Sequence, residues 1–137
     1  MKIPFNVNLS GKTAIVTGGS GTLCSAMAYG LAVSGAKVAL IGRNKEKMSK
    51  VVSELTDNAL KEHNATITIN GYCCNVTDKE ELTKIYEVIK ADLGSCDILI
   101  NGAGGNQPGT ITSTEMLKKE EGADDYSFWN LDETKIR

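Results

Sequence analysis

Thr13-Ala-Ile-Val-Thr-Gly-Gly-Ser-Gly-Thr-Leu-Cys24 and, one helical pattern later, Val38-Ala-Leu-Ile-Gly-Arg43 decide the fold. The apolar run Ala14, Ile15, Val16 enters a turn carrying Gly18, Gly19 and Gly21. A helical stretch and a second apolar run follow, which spells a strand–turn–helix–strand unit. The start of a helix carries unpaired N–H groups and a partial positive charge, so it draws a phosphate. Glycine lets the backbone approach such a ligand without a Cβ in the way. Gly18, Gly19, Ser20, Gly21, Thr22 and Leu23 are therefore the candidate phosphate cradle. The strict G-x-G-x-x-G is absent: Gly19-Ser-Gly21 supplies its first half, and Cys24 stands where the third glycine would be. On this stretch alone, a tight turn in any α/β protein remains the alternative.

Working outward, strand one is expected over 13–17 and helix one over 21–34, with Leu23, Met27 and Leu31 on one face. Ala26 and Gly30 are the small residues that would let this helix lie close to a sheet, and Gly35 stops it. Strand two, Lys37 to Ile41, is apolar almost throughout, as a strand buried on both faces should be. Asn44 can cap helix two, which runs to about 62 with Met48, Val51, Val52, Leu55 and Ala59 as its stripe. Strand three is expected over Thr66 to Cys73, rich in β-branched residues. Thr77-Asp-Lys-Glu80 reads as a capping box for helix three, which buries Leu82, Ile85, Tyr86, Ile89 and Leu93 before Gly94 ends it. Strand four is Asp97-Ile-Leu-Ile-Asn101.

This alternation predicts a parallel sheet of order 3-2-1-4, a truncated Rossmann-type doubly wound α/β fold. Residues 1–12 form an N-terminal arm, and 105–137 a loop and the start of a further helix that Asp132 can cap. The whole of 1–137 then reads as one partial dinucleotide-binding domain. Strand four would be a continuously apolar edge, an aggregation hazard that a complete sheet covers. The expectation is that the chain is a fragment.

Composition narrows the function. A net charge of −2 with no basic block argues against nucleic acid and anionic membrane as partners. Met1-Lys-Ile-Pro-Phe-Asn-Val-Asn has no long apolar core, and no run approaches a membrane span, so a cytoplasmic location is expected. Cys24, Cys73, Cys74 and Cys96 form no C-x-x-C, and His63 is the only histidine, so no metal site is expected. Gly11-Lys-Thr13 lacks the upstream glycine of a P-loop, since Asn6 stands there.

By Asn101 the motifs together resemble the N-terminal part of the short-chain dehydrogenases/reductases. Thr17-Gly-Gly-Ser-Gly-Thr-Leu-Cys24 lies over that family's T-G-x-x-x-G-x-G turn, and Asn75-Val76 over its Asp-Val pair after strand three. Asp97-Ile-Leu-Ile-Asn-Gly-Ala-Gly104 lies over its D-x-L-x-N-N-A-G element. Val16 to Ala28 and Ile100 to Pro108 look like the D-mannonate oxidoreductase (fructuronate reductase) branch. There are departures. Thr22 and Cys24 replace two glycines beside the pyrophosphate path, Asn75 replaces an aspartate, and Gly102 replaces the second Asn of the strand-four element.

The resemblance implies a nicotinamide dinucleotide cofactor held by the turn residues together with Arg43, Asn44, Asn75, Val76, Asn101, Ala103 and Gly104. It implies hydride transfer on a sugar acid or similar small-molecule carbonyl or alcohol, and a homo-oligomer at full length. Gly42-Arg43 ends strand two without a carboxylate to repel a 2′-phosphate, and a guanidinium can pair with one, which favours NADP over NAD. The absent acid also argues against a methyltransferase, which uses one on the ribose hydroxyls. The family's catalytic serine and Tyr-x-x-x-Lys follow strand five. The one matching string here, Tyr86-Glu-Val-Ile-Lys90, puts its tyrosine on the apolar stripe of helix three, where a core role is expected. No catalytic residue is assigned, and the chain alone should be inactive. The alternative is a non-catalytic nucleotide-binding or regulatory module completed by a partner.

Overall fold

The computed structural model describes residues 7–105. The chain divides into two units, Met1–Ala103 and Gly104–Arg137, and the first holds every described element. Those elements are β1 (Thr13–Thr17), α1 (Thr22–Val33), β2 (Lys37–Gly42), α2 (Lys45–His63), β3 (Ile69–Cys73), α3 (Lys79–Leu93) and β4 (Ile98–Ile100). The strands form one sheet in the order β3-β2-β1-β4, and all three pairings are parallel. This is the anticipated order. The helix expected after Asp132 lies outside the described residues.

Strand periodicity divides the core in two. Ala14, Val16, Val38, Leu40 and Ile69 point to the face covered by α1 and α2, against Ala28, Ala32 and Met48. Ile15, Ala39, Ile41 and Tyr72 point to the opposite face, where α3 supplies Ile89 and Leu93. Burial on both faces is why β1 and β2 read as unbroken apolar runs. Tyr72 Oη donates to Asp92 Oδ2 at 2.9 Å and so ties β3 to α3. Burial pushes its phenol pKa up, and the neighbouring carboxylate adds to the rise.

Five local expectations differ from the structure. Of the series Leu23, Met27 and Leu31, only the last two pack half-buried against the core; Leu23 is 72 % exposed, and Cys24, Ala28, Tyr29 and Ala32 are the fully buried positions of α1. Small side chains occupy the most buried positions, and the inward face is rotated one residue from the bulky series. Ala26 and Gly30 give no close approach, since Ala26 is exposed and a Cβ on Gly30 would meet open space.

Strand β3 starts at Ile69 and not at Thr66, because its partner β2 begins at Lys37. The Thr68 carbonyl accepts from Val38 N, leaving residues 66–67 with no strand beside them. The cap of α3 is Asp78 and not Thr77: its Oδ1 accepts from Glu80 N and Glu81 N, both at 3.0 Å. Glu81 reaches back to the amide of Asn75 at 2.9 Å. Finally, β4 is shorter than expected. Asp97 is held by side-chain bonds to Lys12 and Thr13, and beyond Ile100 the chain is drawn to the Thr17 hydroxyl.

Candidate functional site

In a parallel sheet every strand ends on the same side, so the segments after β1, β2, β3 and β4 meet along one rim. The glycine turn 18–21, Gly42-Arg43, Cys74–Val76 and Asn101–Ala103 are brought together in this way.

The turn is tight for stated reasons. Gly18 has φ +66, and a Cβ there would fall 2.5 Å from the Gly102 carbonyl oxygen. A Cβ on Gly19 would fall 2.8 Å from Leu40 Cβ, so that position also admits no side chain. Gly19 N donates to Ile41 O at 3.1 Å and Gly21 N to Gly18 O at 2.8 Å, which bends the chain from β1 into α1. Gly21 is the N-cap of α1, with no side-chain cap and no acid in the first turn. Helices α2 and α3 differ. Asn44 and Asp78 cap them, and Glu46, Glu80 and Glu81 occupy their first turns. A helix start left open at a glycine cradle suits the pyrophosphate of a dinucleotide.

Thr17 locks the opposite wall. Its Oγ1 accepts from Gly102 N at 3.0 Å and Ala103 N at 3.1 Å. The 101–103 backbone thus lies directly against the glycine turn. Thr17, Ile41, Val76, Asn101 and Ala103 line a cleft of about 590 Å³ together with Ile15, Leu82, Tyr86, Ile89 and Leu99. Tyr86 packs with the α3 core cluster, and Lys90 lies 3.9 Å from Glu87.

The remaining candidates of the first unit fall around this rim. Ser20 and Gly21 are half-buried, and Thr22 is exposed, its carbonyl accepting from Ser25 Oγ at 3.0 Å. Leu23 projects from the first turn of α1. Arg43 is exposed, and among the described residues no carboxylate pairs with it. Asn44 Oδ1 accepts from Lys47 N at 2.8 Å, so this side chain is engaged as the α2 cap. Asn75 Oδ1 accepts from the Thr77 hydroxyl at 2.9 Å and from Thr77 N at 3.3 Å. Val76 packs beside it on the α3 face. Gly104 begins the second unit and is exposed. Among the described residues no group of three His, Cys, Asp or Glu side chains is placed to hold a metal, and no helix is long and apolar enough to cross a membrane.

The sequence reading missed the Thr17 clamp and the contact between Cys24 and Gly102. The register held the signal for the clamp. Val16 pairs with Ile100, so Thr17 had to lie beside the first residues leaving β4.

These features define a Rossmann-type α/β protein with a tight glycine turn at the end of β1. The chain belongs to the short chain dehydrogenase family, whose pattern matches residues 12–125. It is 45 % identical over 131 residues to the uncharacterized oxidoreductase UxuB of Bacillus subtilis (strain 168), covering 96 % of this chain and 44 % of that protein. It is similar in structure to a candidate D-mannonate oxidoreductase from Haemophilus influenza with bound NAD, at TM-score 0.79 and 36 % identity, covering 96 % of this chain and 44 % of that one. A metagenomic short-chain oxidoreductase in complex with NADP matches at TM-score 0.62 and 28 % identity, over 74 % of this chain and 42 % of the other. The chain thus spans less than half the length of these relatives.

Proposed function

We propose that residues 1–137 form the coenzyme-binding part of an oxidoreductase that moves a hydride between a nicotinamide dinucleotide and a sugar acid or similar carbonyl or alcohol. The observation that carries this is the cradle itself. Gly18 and Gly19 have no room for a Cβ, α1 opens without a side-chain cap, and three further strand ends share the rim. The relatives with NAD and NADP bound support it.

In this reading the amides of Ser20, Thr22 and Leu23 face the pyrophosphate, while those of Gly19 and Gly21 hold the turn itself together. Val76 and Ala103 offer apolar contact to the adenine, and Asn101 offers polar contact along the adenosine. Asn75 contributes by holding the turn after β3, since its Oδ1 is already engaged by Thr77. Asn44 shapes the start of α2 behind Arg43. NADP is favoured over NAD, because Arg43 is exposed beside Gly42 where an acid would select the ribose hydroxyl. When bound, the nicotinamide supplies the hydride chemistry.

Proton transfer is not assigned to any residue here. The single Tyr-x-x-x-Lys string has its tyrosine half-buried against the α3 core cluster, along the apolar stripe of that helix, so the isolated chain should be inert. Titration with NADPH and NADH tests the reading: either coenzyme should protect the chain against thermal unfolding. Absence of protection by both at millimolar concentration would reject it. Turnover by the isolated chain would reject its inertness.

A further inference from the structure

Gly102 does not sit where the backbone demands a glycine, because it is absent from the positive-φ positions. The obstacle is a side chain. A Cβ built on Gly102 would overlap Cys24 Sγ, while its distance to Cys24 Cβ would be an ordinary 3.6 Å. The other near atom is the Thr17 carbonyl oxygen at 3.0 Å. Cys24 lies in the first turn of α1, is 6 % exposed and belongs to the buried core under the sheet rim. Its sulfur therefore fills the volume that a side chain at 102 would take.

The backbone at 102 has neighbours on three sides. Thr17 Oγ1 binds its amide. Gly18 approaches its carbonyl so closely that a Cβ on Gly18 would overlap it. Cys24 Sγ occupies the side-chain direction. Asn101 and Ala103, on either side, line the cleft. Movement of Gly102 away from Cys24 would shift both lining residues and disturb the glycine turn beneath them.

We infer that Cys24 and Gly102 form a large–small pair that sets the position of the 101–103 wall over the glycine turn, making Cys24 a positioning residue for the dinucleotide. The affinity part of this inference rests on the proposed coenzyme reading. The pairing itself does not. Close-packed interiors transmit a misfit of one methyl group, so the two positions should be tolerant together and intolerant singly.

The test uses the 137-residue chain with Gly102→Ala, Cys24→Ala and the double substitution. Two readouts are taken: hydrogen exchange of the amides at 102 and 103, and titration with NADPH and NADH. Gly102→Ala should speed exchange at both amides and weaken coenzyme binding at least tenfold. Adding Cys24→Ala should return exchange and affinity to within threefold of the parent. A Gly102→Ala chain that exchanges and binds like the parent would overturn the pairing, as would a folded double variant no better than Gly102→Ala. A loss of thermal stability with affinity unchanged would overturn the positioning role. Should Gly102→Ala fail to fold, recovery of folding in the double variant supports the pair and its failure rejects it. A parent chain that binds neither coenzyme defeats the coenzyme reading and with it the positioning role, while the exchange measurements still decide the pairing.

Discussion

Thr17 Oγ1 accepts the Gly102 amide at 3.0 Å across 85 positions of sequence, and the same oxygen takes the Ala103 amide at 3.1 Å. One hydroxyl thus joins the end of β1 to the segment leaving β4. Thr17→Val keeps the shape and removes the acceptor, stranding two amides. The expected loss is about 1–2 kcal/mol in urea unfolding, because an unpaired amide costs more than a hydrogen bond contributes, and residues 102 and 103 retain some access to water. Coenzyme affinity should fall several-fold. Thr17→Ser should restore both, and a Ser variant as weak as Val would show that the methyl group, not the hydroxyl, matters.

Gly18 gives a second prediction. Its φ of +66 disfavours any L side chain, and the Cβ would fall 2.5 Å from the Gly102 carbonyl oxygen, a backbone atom that cannot rotate away. Gly18→Ala should cost about 2–3 kcal/mol, the range for a strained backbone residue with a clash. Gly30→Ala serves as the control: it is helical, with open space around the Cβ, and should be neutral or stabilising by about 0.5–1 kcal/mol. Equal midpoints for the two variants in denaturant would contradict the geometry of the turn.

The sheet order and the two-faced core were legible because β1 and β2 are apolar through their interiors and α2 and α3 carry a 3.6-residue period. Helix α1 was misread because the pattern weights large residues. Leu23 is bulky and solvent-facing, while the deepest positions are Cys24, Ala28 and Ala32, with Met27 and Leu31 half-buried beside them. Strand ends were misjudged where a partner decides them: residues 66–67 have good strand propensity and nothing to pair with. At the site, the glycines at 18 and 19 announced themselves by residue type. The compensation between Cys24 and Gly102 did not, because two departures at distant positions look independent until the fold sets them side by side.

Asp97 ties acid sensitivity to one carboxylate. Hydrogen bonding from the Thr13 amide, then from Lys12 Nζ, holds its pKa below the usual aspartate range. In the fold the ionised form is favoured, so the unfolded chain binds more protons between the two pKa values and stability rises with pH there. The contribution is complete above the ordinary aspartate value, near about pH 4, and is lost as pH falls through the lowered folded value. Asp97→Asn should therefore lower the melting temperature at pH 7 and flatten its fall between pH 4 and pH 2. A variant whose melting temperature tracks the parent across that window would remove Asp97 from the account. The Lys12–Asp97 pair is partly solvated, with side-chain exposures of 55 % and 34 %, so added salt should weaken the effect without abolishing it.

The coenzyme preference turns on Arg43. It follows Gly42 at the end of β2, level with the glycine turn, because Thr17 pairs with Ile41 in the β1–β2 register. Among the described residues it has no carboxylate partner, so its guanidinium can turn to a 2′-phosphate without breaking an existing ion pair. Arg43→Glu replaces that charge with one that repels the phosphate and can accept from a ribose hydroxyl. The ratio of NADPH to NADH affinity should fall at least tenfold, corresponding to about 1.4 kcal/mol or more. Arg43→Gln removes the charge alone and should fall between. An exposed substitution of this kind should change stability by less than about 0.5 kcal/mol, which separates a coenzyme effect from a folding one. If Arg43→Glu leaves the affinity ratio where it was while both coenzymes still bind, Arg43 is an ordinary surface residue and discrimination lies elsewhere on the rim.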